Sequence, residues 1–457
     1  MTQVSAKKRI TGWMMYDWAT QPFHTLVITF VFAPFFAEQV IAQLLLSGME
    51  EVSAKAQAQS IWGSALTVSG VSIAIFAPIL GAIADRSGRK MPWIWAFSAL
   101  YVIGSAGLWL AMPNALPTYT VLGFFILGII GLECTTIFTN AILPSLGTKE
   151  EIGKISGTGW AWGYVGGFVA LVIMLLCFAE NSSGVTLANT PPLFGLDPET
   201  RQGSRFVGPF TALWFVLSMI PFFLWVRDAH APSIRLSFAV REGLTSLTTT
   251  LKTLPARKSM FAYLASSMFY RDALNGVFAF GGIYALGVLN WSTTDIGIFG
   301  ILTIISGAIF TFMGGRMDAK FGPKPVIMFC ILVLIALCIV IMTITPTSVL
   351  LMSVDANSPL PDVAFYICGI ALGAVGGIIQ SASRTMMVRQ SHPDRMTEAF
   401  GLFALSGKAT SFLAPALIGV TTALTNSQRL GITPLIGLFL IGLLLLVWVK
   451  PDGEEVV

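Results

Sequence analysis

The stretch Gly81-Ala82-Ile83-Ala84-Asp85-Arg86-Ser87-Gly88-Arg89-Lys90 closes an apolar run over 60–84. A second stretch, Gly314-Gly315-Arg316-Met317-Asp318-Ala319-Lys320-Phe321-Gly322-Pro323-Lys324, closes the run over 294–314. Each sets a carboxylate and several cations, punctuated by glycine, at the end of a segment long enough to be a helix. Asp85 and Asp318 stand 233 positions apart (318 − 85), close to half of the 457-residue chain. Tyr16-Asp17 in the first run and Tyr270-Arg271-Asp272 in the seventh repeat at a similar interval. Repeated halves of apolar helices are the mark of an alternating-access transporter.

Composition agrees. Hydrophobic residues make up 55% and charged residues 11% of the chain, with a mean hydropathy of +0.77. Soluble chains carry about 25% charged residues. So few charges cannot cover a globule of this size, which excludes a soluble enzyme, a disordered chain and a nucleic-acid binder. The net charge of +4 is too small to imply a polyanionic partner. Cys134, Cys177, Cys330, Cys338 and Cys368 all fall in apolar runs without CxxC spacing, and are read as packing residues. Three histidines without motif spacing give no metal site, and no cofactor is expected. Lys7-Lys8-Arg9 before an apolar run resembles a signal peptide. The run is long, carries Asp17 and His24, and lacks a small-residue cleavage site, so it is read as a retained first helix.

A bilayer span needs about 20 apolar residues. Twelve such runs are read, over 12–37, 60–84, 93–112, 118–144, 156–179, 207–227, 259–289, 294–314, 324–345, 361–388, 398–425 and 430–450. The expected fold is all-α and integral to the membrane, with twelve transmembrane helices in two pseudo-symmetric six-helix bundles. The bundles span 1–227 and 259–457, joined by a basic loop over 228–258. With the N-terminus inside, 21 Lys and Arg fall in cytoplasmic segments, Arg384 at the cytoplasmic end of the tenth run among them, against only Lys55, Arg201, Arg205 and Arg429 outside. That asymmetry puts both termini in the cytoplasm. The outer loop 180–206 contains an Asn181-Ser182-Ser183 tripeptide, which carries no weight.

The Gly81–Lys90 stretch resembles the loop signature of the major facilitator superfamily. Other blocks narrow the likeness. They are Gly12-Trp13-Met14-Met15-Tyr16-Asp17-Trp18-Ala19, the Ser156–Gly167 stretch, Tyr270–Asn275, Gln380-Ser381-Ala382-Ser383-Arg384 and Ala399–Phe412. Together they resemble the bacterial "unknown major facilitator" family, which is related to fungal vacuolar amino-acid effluxers. The resemblance implies a central cavity lined by helices 1, 4, 7 and 10. It also implies that Asp85 meets the start of helix 11 near Thr397 and Glu398, where a carboxylate accepts hydrogen bonds from a helix N-terminus. Asp85, Arg86 and Arg89 would then hold the inner side shut. In the second copy Ala319 and Pro323 replace the two arginines, so the latch at Asp318 should be weaker.

A charge near the bilayer centre costs about 2.5–3.5 kcal/mol even on the lenient insertion scale. Asp17, His24, Glu133, Arg271, Asp272, Arg384 and Lys408 bear that cost, and all but Lys408 lie on the helices expected to line the cavity. Arg271 and Asp272 are neighbours pointing about 100° apart, so each needs a partner on another helix or on a ligand. A guanidinium suits a planar carboxylate. The expected substrate site is Arg271 with Gln21, Tyr270, Asn275, Gln380 and Arg384. Glu133, Asp272, Asp17 and His24 are the proton-coupling candidates. Asp85, Arg86, Arg89, Asp318 and Lys408 are the gating candidates. Static ion pairing between the bundles is the plainer alternative for the buried charges.

These expectations describe a monomeric secondary transporter of the inner membrane, not an enzyme. It would move a small polar solute such as an amino acid, with a proton or other coupling ion. Its partners are that solute, the ion and the lipid bilayer, with no nucleic acid. Two rivals are an exporter of amphipathic or lipid-like compounds and a non-transporting membrane receptor or assembly factor.

Overall fold

The computed structural model describes residues 4–113, 116–181, 183–228, 236–291, 293–355 and 358–454. Ser182 and Arg235 lie outside the described residues. Backbone groups in hydrocarbon have only the chain's own partners, so the apolar runs form helices. In chain order these are α1 (Ala6–Pro22), α2 (Phe32–Leu46), α3 (Glu51–Ser87), α4 (Met91–Gly107), α5 (Thr118–Asn140), α6 (Ile152–Cys177), α7 (Gln202–Arg205) and α8 (Val207–Trp225). The second half of the sequence gives α9 (Leu236–Thr253), α10 (Lys258–Val288), α11 (Thr293–Phe321), α12 (Pro323–Thr343), α13 (Leu360–Gln390), α14 (Met396–Ala409), α15 (Leu413–Thr425), α16 (Gln428–Gly431) and α17 (Thr433–Leu446). A short antiparallel hairpin, β1 (Ser348–Val349) with β2 (Met352–Ser353), joins α12 to α13.

Among the described residues, eleven helical stretches are long and apolar enough to cross a membrane. The expected count of twelve is recovered by adding α10. That helix has 31 residues, but Arg271, Asp272 and its serines lower its apolarity.

Two of the expected runs are not simple helices. The first continues from α1 into a π-helical segment, Phe23–Phe30, and then α2. Pro22 has no N–H for the Trp18 carbonyl, and the register widens directly after it. Trp214 Nε1 donates to that carbonyl instead, at 3.2 Å. The Val31 N–H to Leu26 carbonyl bond, 3.0 Å, closes the wide turn. The run over 398–425 is broken into α14 and α15. Pro415 leaves the Ser411 carbonyl without its helical donor, and a proline is well tolerated only in the first turn of a new helix.

The chain forms two compact units. The first comprises Met1–Ile75, Gly88–Thr139 and Trp162–Ser233. Its core packs aromatic rings at tilted angles: the Phe23 ring lies 5.4 Å from that of Tyr101, which lies 4.3 Å from that of Phe215. The second comprises Phe76–Ser87, Asn140–Ala161 and Ile234–Val457. The last turns of α3 and the α5–α6 connection therefore group with the second half of the sequence. Tyr263, Tyr270, Tyr284 and Leu334 are buried in this unit. Large apolar side chains such as Val71, Leu217, Leu224, Phe329 and Leu444 are exposed, as a lipid surround requires.

Candidate functional site

In the first unit α1 is bolted to α5 by polar aromatic tips. Trp13 Nε1 donates to the Thr139 carbonyl at 2.7 Å. The Tyr16 hydroxyl donates to the Leu132 carbonyl at 3.0 Å and lies 2.6 Å from the Thr136 hydroxyl. These bonds fall on either side of Glu133. Asp17 and Glu133 are both half-buried, and both lie close enough to Tyr16 to act on it electrostatically. Gln21 lies against α6, where a Cβ on Gly167 would stand 2.7 Å from its Cγ. His24 is exposed on the π-helical segment. Trp18 stacks on Trp214 at 5.6 Å and meets the edge of Trp162 at 5.5 Å.

In the second unit the neighbouring charges of α10 take opposite sides of the break between α14 and α15. Arg271 Nη1 donates to the Phe403 carbonyl at 2.9 Å, and its Cζ sits 4.1 Å over the Phe403 ring. Asp272 is 1% exposed, and its Oδ2 accepts the Ala414 N–H at 2.9 Å at the start of α15. A carboxylate at a helix N-terminus complements the helix dipole. The other oxygen, Oδ1, has no hydrogen-bond partner among the described residues. Lys408 is half-buried in the last turn of α14, where a cation suits the helix C-terminus. Asn275 is exposed and Gln380 half-buried. Tyr270 is fully buried, with its hydroxyl 2.8 Å from Ser383 Oγ.

A third group of contacts joins segments from both halves of the sequence within this unit. Asp85 Oδ1 accepts the Thr397 N–H at 3.1 Å and Oδ2 the Glu398 N–H at 2.8 Å. A Cβ on Gly81 would stand 2.5 Å from the Thr397 carbonyl oxygen, so only glycine lets α3 approach α14 this closely. Arg86 Nη2 reaches Ser246 Oγ on α9 at 3.2 Å, and that hydroxyl lies 3.3 Å from Glu398 Oε2. Arg89 is exposed in the first unit. There Asp228 plays a similar capping part, accepting the Lys90 and Met91 N–H groups at 3.0 Å each.

Arg384 is 4% exposed and engaged on α6. Its Nε donates to Ser156 Oγ at 2.9 Å, Nη2 to the Ser156 carbonyl at 2.7 Å and Nη1 to Asn140 Oδ1 at 3.3 Å. Asp318 is 1% exposed beside Gly153 at the start of α6, and neither carboxylate oxygen accepts a hydrogen bond among the described residues. The C-terminal segment adds a strap. Asp452 Oδ1 lies 2.7 Å from Lys149 Nζ and 3.3 Å from Arg389 Nη1, while Glu454 Oε1 accepts the Ser259 N–H at 2.9 Å. The Lys149 ammonium, with Arg389 beside it, holds the Asp452 carboxyl below its ordinary value.

Sequence reasoning missed Phe403, Ser156, Asn140, Asp228 and Asp452. Pro415 was the available signal for the broken helix. The Phe403 contact had none, because it is made 132 positions from Arg271.

The family described as "Vacuole effluxer Atg22 like" matches residues 5–454. The chain belongs to this family. The Atg22-like chain is 25% identical over 449 residues to the uncharacterized MFS-type transporter YxiO of Bacillus subtilis, covering 97% of this chain and 95% of the relative. It is 22% identical over 319 residues to autophagy-related protein 22 of Yarrowia lipolytica, covering 63% of this chain and 50% of that protein. Its fold is similar to the human organic anion transporter MFSD10, with a TM-score of 0.70, 12% identity, and 97% and 100% of the two chains covered. It is also similar to the E. coli fucose:proton symporter FucP, with a TM-score of 0.68, 15% identity and 97% of each chain covered. The Atg22-like protein is thus an all-α, multi-pass membrane transporter of the major facilitator type.

Proposed function

We propose that this Atg22-like transporter moves an amino acid or similar small zwitterion across the cell inner membrane by alternating access, coupled to protons. The observation that carries this reading is the placement of Arg271 and Asp272 across the break between α14 and α15. Arg271, near the middle of α10, has Nε and Nη2 without an acceptor among the described residues. A guanidinium held by one nitrogen keeps donors for a planar carboxylate. Asp272 offers a buried oxygen that accepts no hydrogen bond among the described residues, a carboxylate kept in a span at a cost that function must repay.

Arg271 takes the substrate carboxylate, with Asn275 and Gln380 as polar substrate-site candidates of the same unit and Gln21 as the candidate of the first unit. Asp272 carries the proton in the second unit, and Glu133, Asp17 and His24 are the proton-coupling candidates of the first. Tyr270 supports Arg271 from within the packing. Arg384, held by Ser156 and Asn140, remains a substrate-site candidate, while Asp85, Arg86, Asp318 and Lys408 serve the inner gate, with Arg89 the gating candidate of the first unit. The working protein is a monomer with bundles at 1–227 and 259–457, the loop 228–258 between them, and both termini in the cytoplasm. The Lys and Arg asymmetry of the loops supports that orientation.

A thermal-shift screen of the purified protein against amino acids, peptides, sugars and nucleosides selects the solute. Its uptake into proteoliposomes should then follow or dissipate a pH gradient. Unchanged proton coupling in a Glu133→Gln, Asp272→Asn double variant sinks the coupling assignment. Solute binding indifferent to Arg271→Ala sinks the substrate assignment and favours a greasier, lipid-like cargo.

A further inference from the structure

We propose that Phe403 and Gly407 are positioning residues that hold the Arg271 guanidinium as a fixed plate, and so make the site selective for a planar carboxylate. This rests on the reading that Arg271 takes the substrate carboxylate. Phe403 and Gly407 are four residues apart on α14 and share one face of it. The Phe403 ring lies under the guanidinium at 4.1 Å, and its carbonyl accepts Nη1 at 2.9 Å. A Cβ built on Gly407 would stand 2.6 Å from Nη1, 2.7 Å from Cζ and 2.8 Å from Nη2. The guanidinium therefore lies where any side chain at 407 would have to be. The ring is itself buttressed, stacked 6.0 Å from Tyr263, whose hydroxyl donates to the Ser383 carbonyl at 2.6 Å.

A guanidinium carries five N–H donors in a rigid fork. With Nη1 bonded to the Phe403 carbonyl, the edge formed by Nε and Nη2 has no acceptor among the described residues. That edge presents parallel donors matched to the two oxygens of a carboxylate. A lysine ammonium offers no such edge, and a guanidinium free to rotate loses the match. The specificity of the site then belongs to α14 as much as to Arg271. The atoms that a Cβ at 407 would meet are the far end of a long side chain, so Gly407→Ala displaces the guanidinium without breaking the fold.

The test is a titration of the full-length protein, labelled with 15N-arginine, by sodium acetate, with acetamide and sodium chloride as controls. In the unmodified protein the Arg271 Nε resonance should shift saturably with acetate and stay put with acetamide. Gly407→Ala and Phe403→Leu should weaken acetate binding roughly tenfold or more, since misplacement by about 1 Å is enough to cost such factors. Phe403→Tyr, which keeps the ring and the carbonyl, should bind acetate normally and so separates positioning from folding. Acetate binding unchanged in Gly407→Ala and Phe403→Leu but lost in Arg271→Lys overturns the positioning role and leaves the carboxylate site standing. Acetate binding retained in Arg271→Lys overturns the carboxylate site and the positioning role with it.

Discussion

Asp85 and Asp318 occupy matching places in the repeated stretch, yet their surroundings differ. Asp85 accepts backbone N–H groups at the start of α14, whereas Asp318 is buried with both oxygens unbonded among the described residues. Capping bonds of the Asp85 kind contribute about 1 kcal/mol, and an unsatisfied buried acceptor costs a similar amount. Asp85→Ala should therefore lower the melting temperature in detergent, while Asp318→Leu, close in shape and without polar atoms, should leave it unchanged or raise it. A larger loss from the Asp318 substitution contradicts this accounting. Asp272 separates two roles in the same way. Asp272→Asn keeps an acceptor for the Ala414 N–H and should hold stability, whereas Asp272→Ala should lose about 1 kcal/mol in thermal melts. Proton-coupled uptake should fail in both, because neither side chain titrates.

At the scale of elements, the irregular helices follow from proline chemistry. Pro415→Ala restores an N–H for the Ser411 carbonyl and favours one continuous helix in place of α14 and α15. The Ala414 N–H would then turn from Asp272 towards the Thr410 carbonyl. The expected result is a folded protein with slowed transport, read as normal melting with a reduced initial uptake rate. The C-terminal strap makes a pH prediction. The Asp452 carboxyl is held below its ordinary value by Lys149, so its contribution is present above the ordinary carboxylate range. It is lost as pH falls through the depressed value. The protection factors of the 450–454 amides, each taken against the intrinsic exchange rate at the same pH, should fall on acidification. Asp452→Asn should show the lowered protection already at neutral pH.

At the scale of the whole molecule, the charge arithmetic predicts orientation. Single cysteines placed at Lys7 and Lys450 should react with a membrane-impermeant thiol reagent only in inverted vesicles. A cysteine at Lys55 should react in intact cells. Labelling of either terminus from outside contradicts the cytoplasmic assignment.

Much of this was legible in the chain. Apolar runs marked the membrane helices because hydrocarbon leaves the backbone no other way to satisfy its polar groups. Scarcity of charge singled out Asp17, Glu133, Arg271, Asp272 and Arg384, since each is costly to keep in a span. The requirement that Arg271 and Asp272 find partners off their own helix also followed from the 100° step between neighbours. The identity of those partners did not. Phe403 and Ala414 lie 132 and 142 positions away in sequence, and Ser156 lies 228 from Arg384. The sequence alone determined which residues had to be satisfied, because burial cost is a property of the residue and its span. Only the tertiary structure decided what satisfies them, because that depends on which backbone groups a broken helix leaves open and which glycines let another chain segment come close.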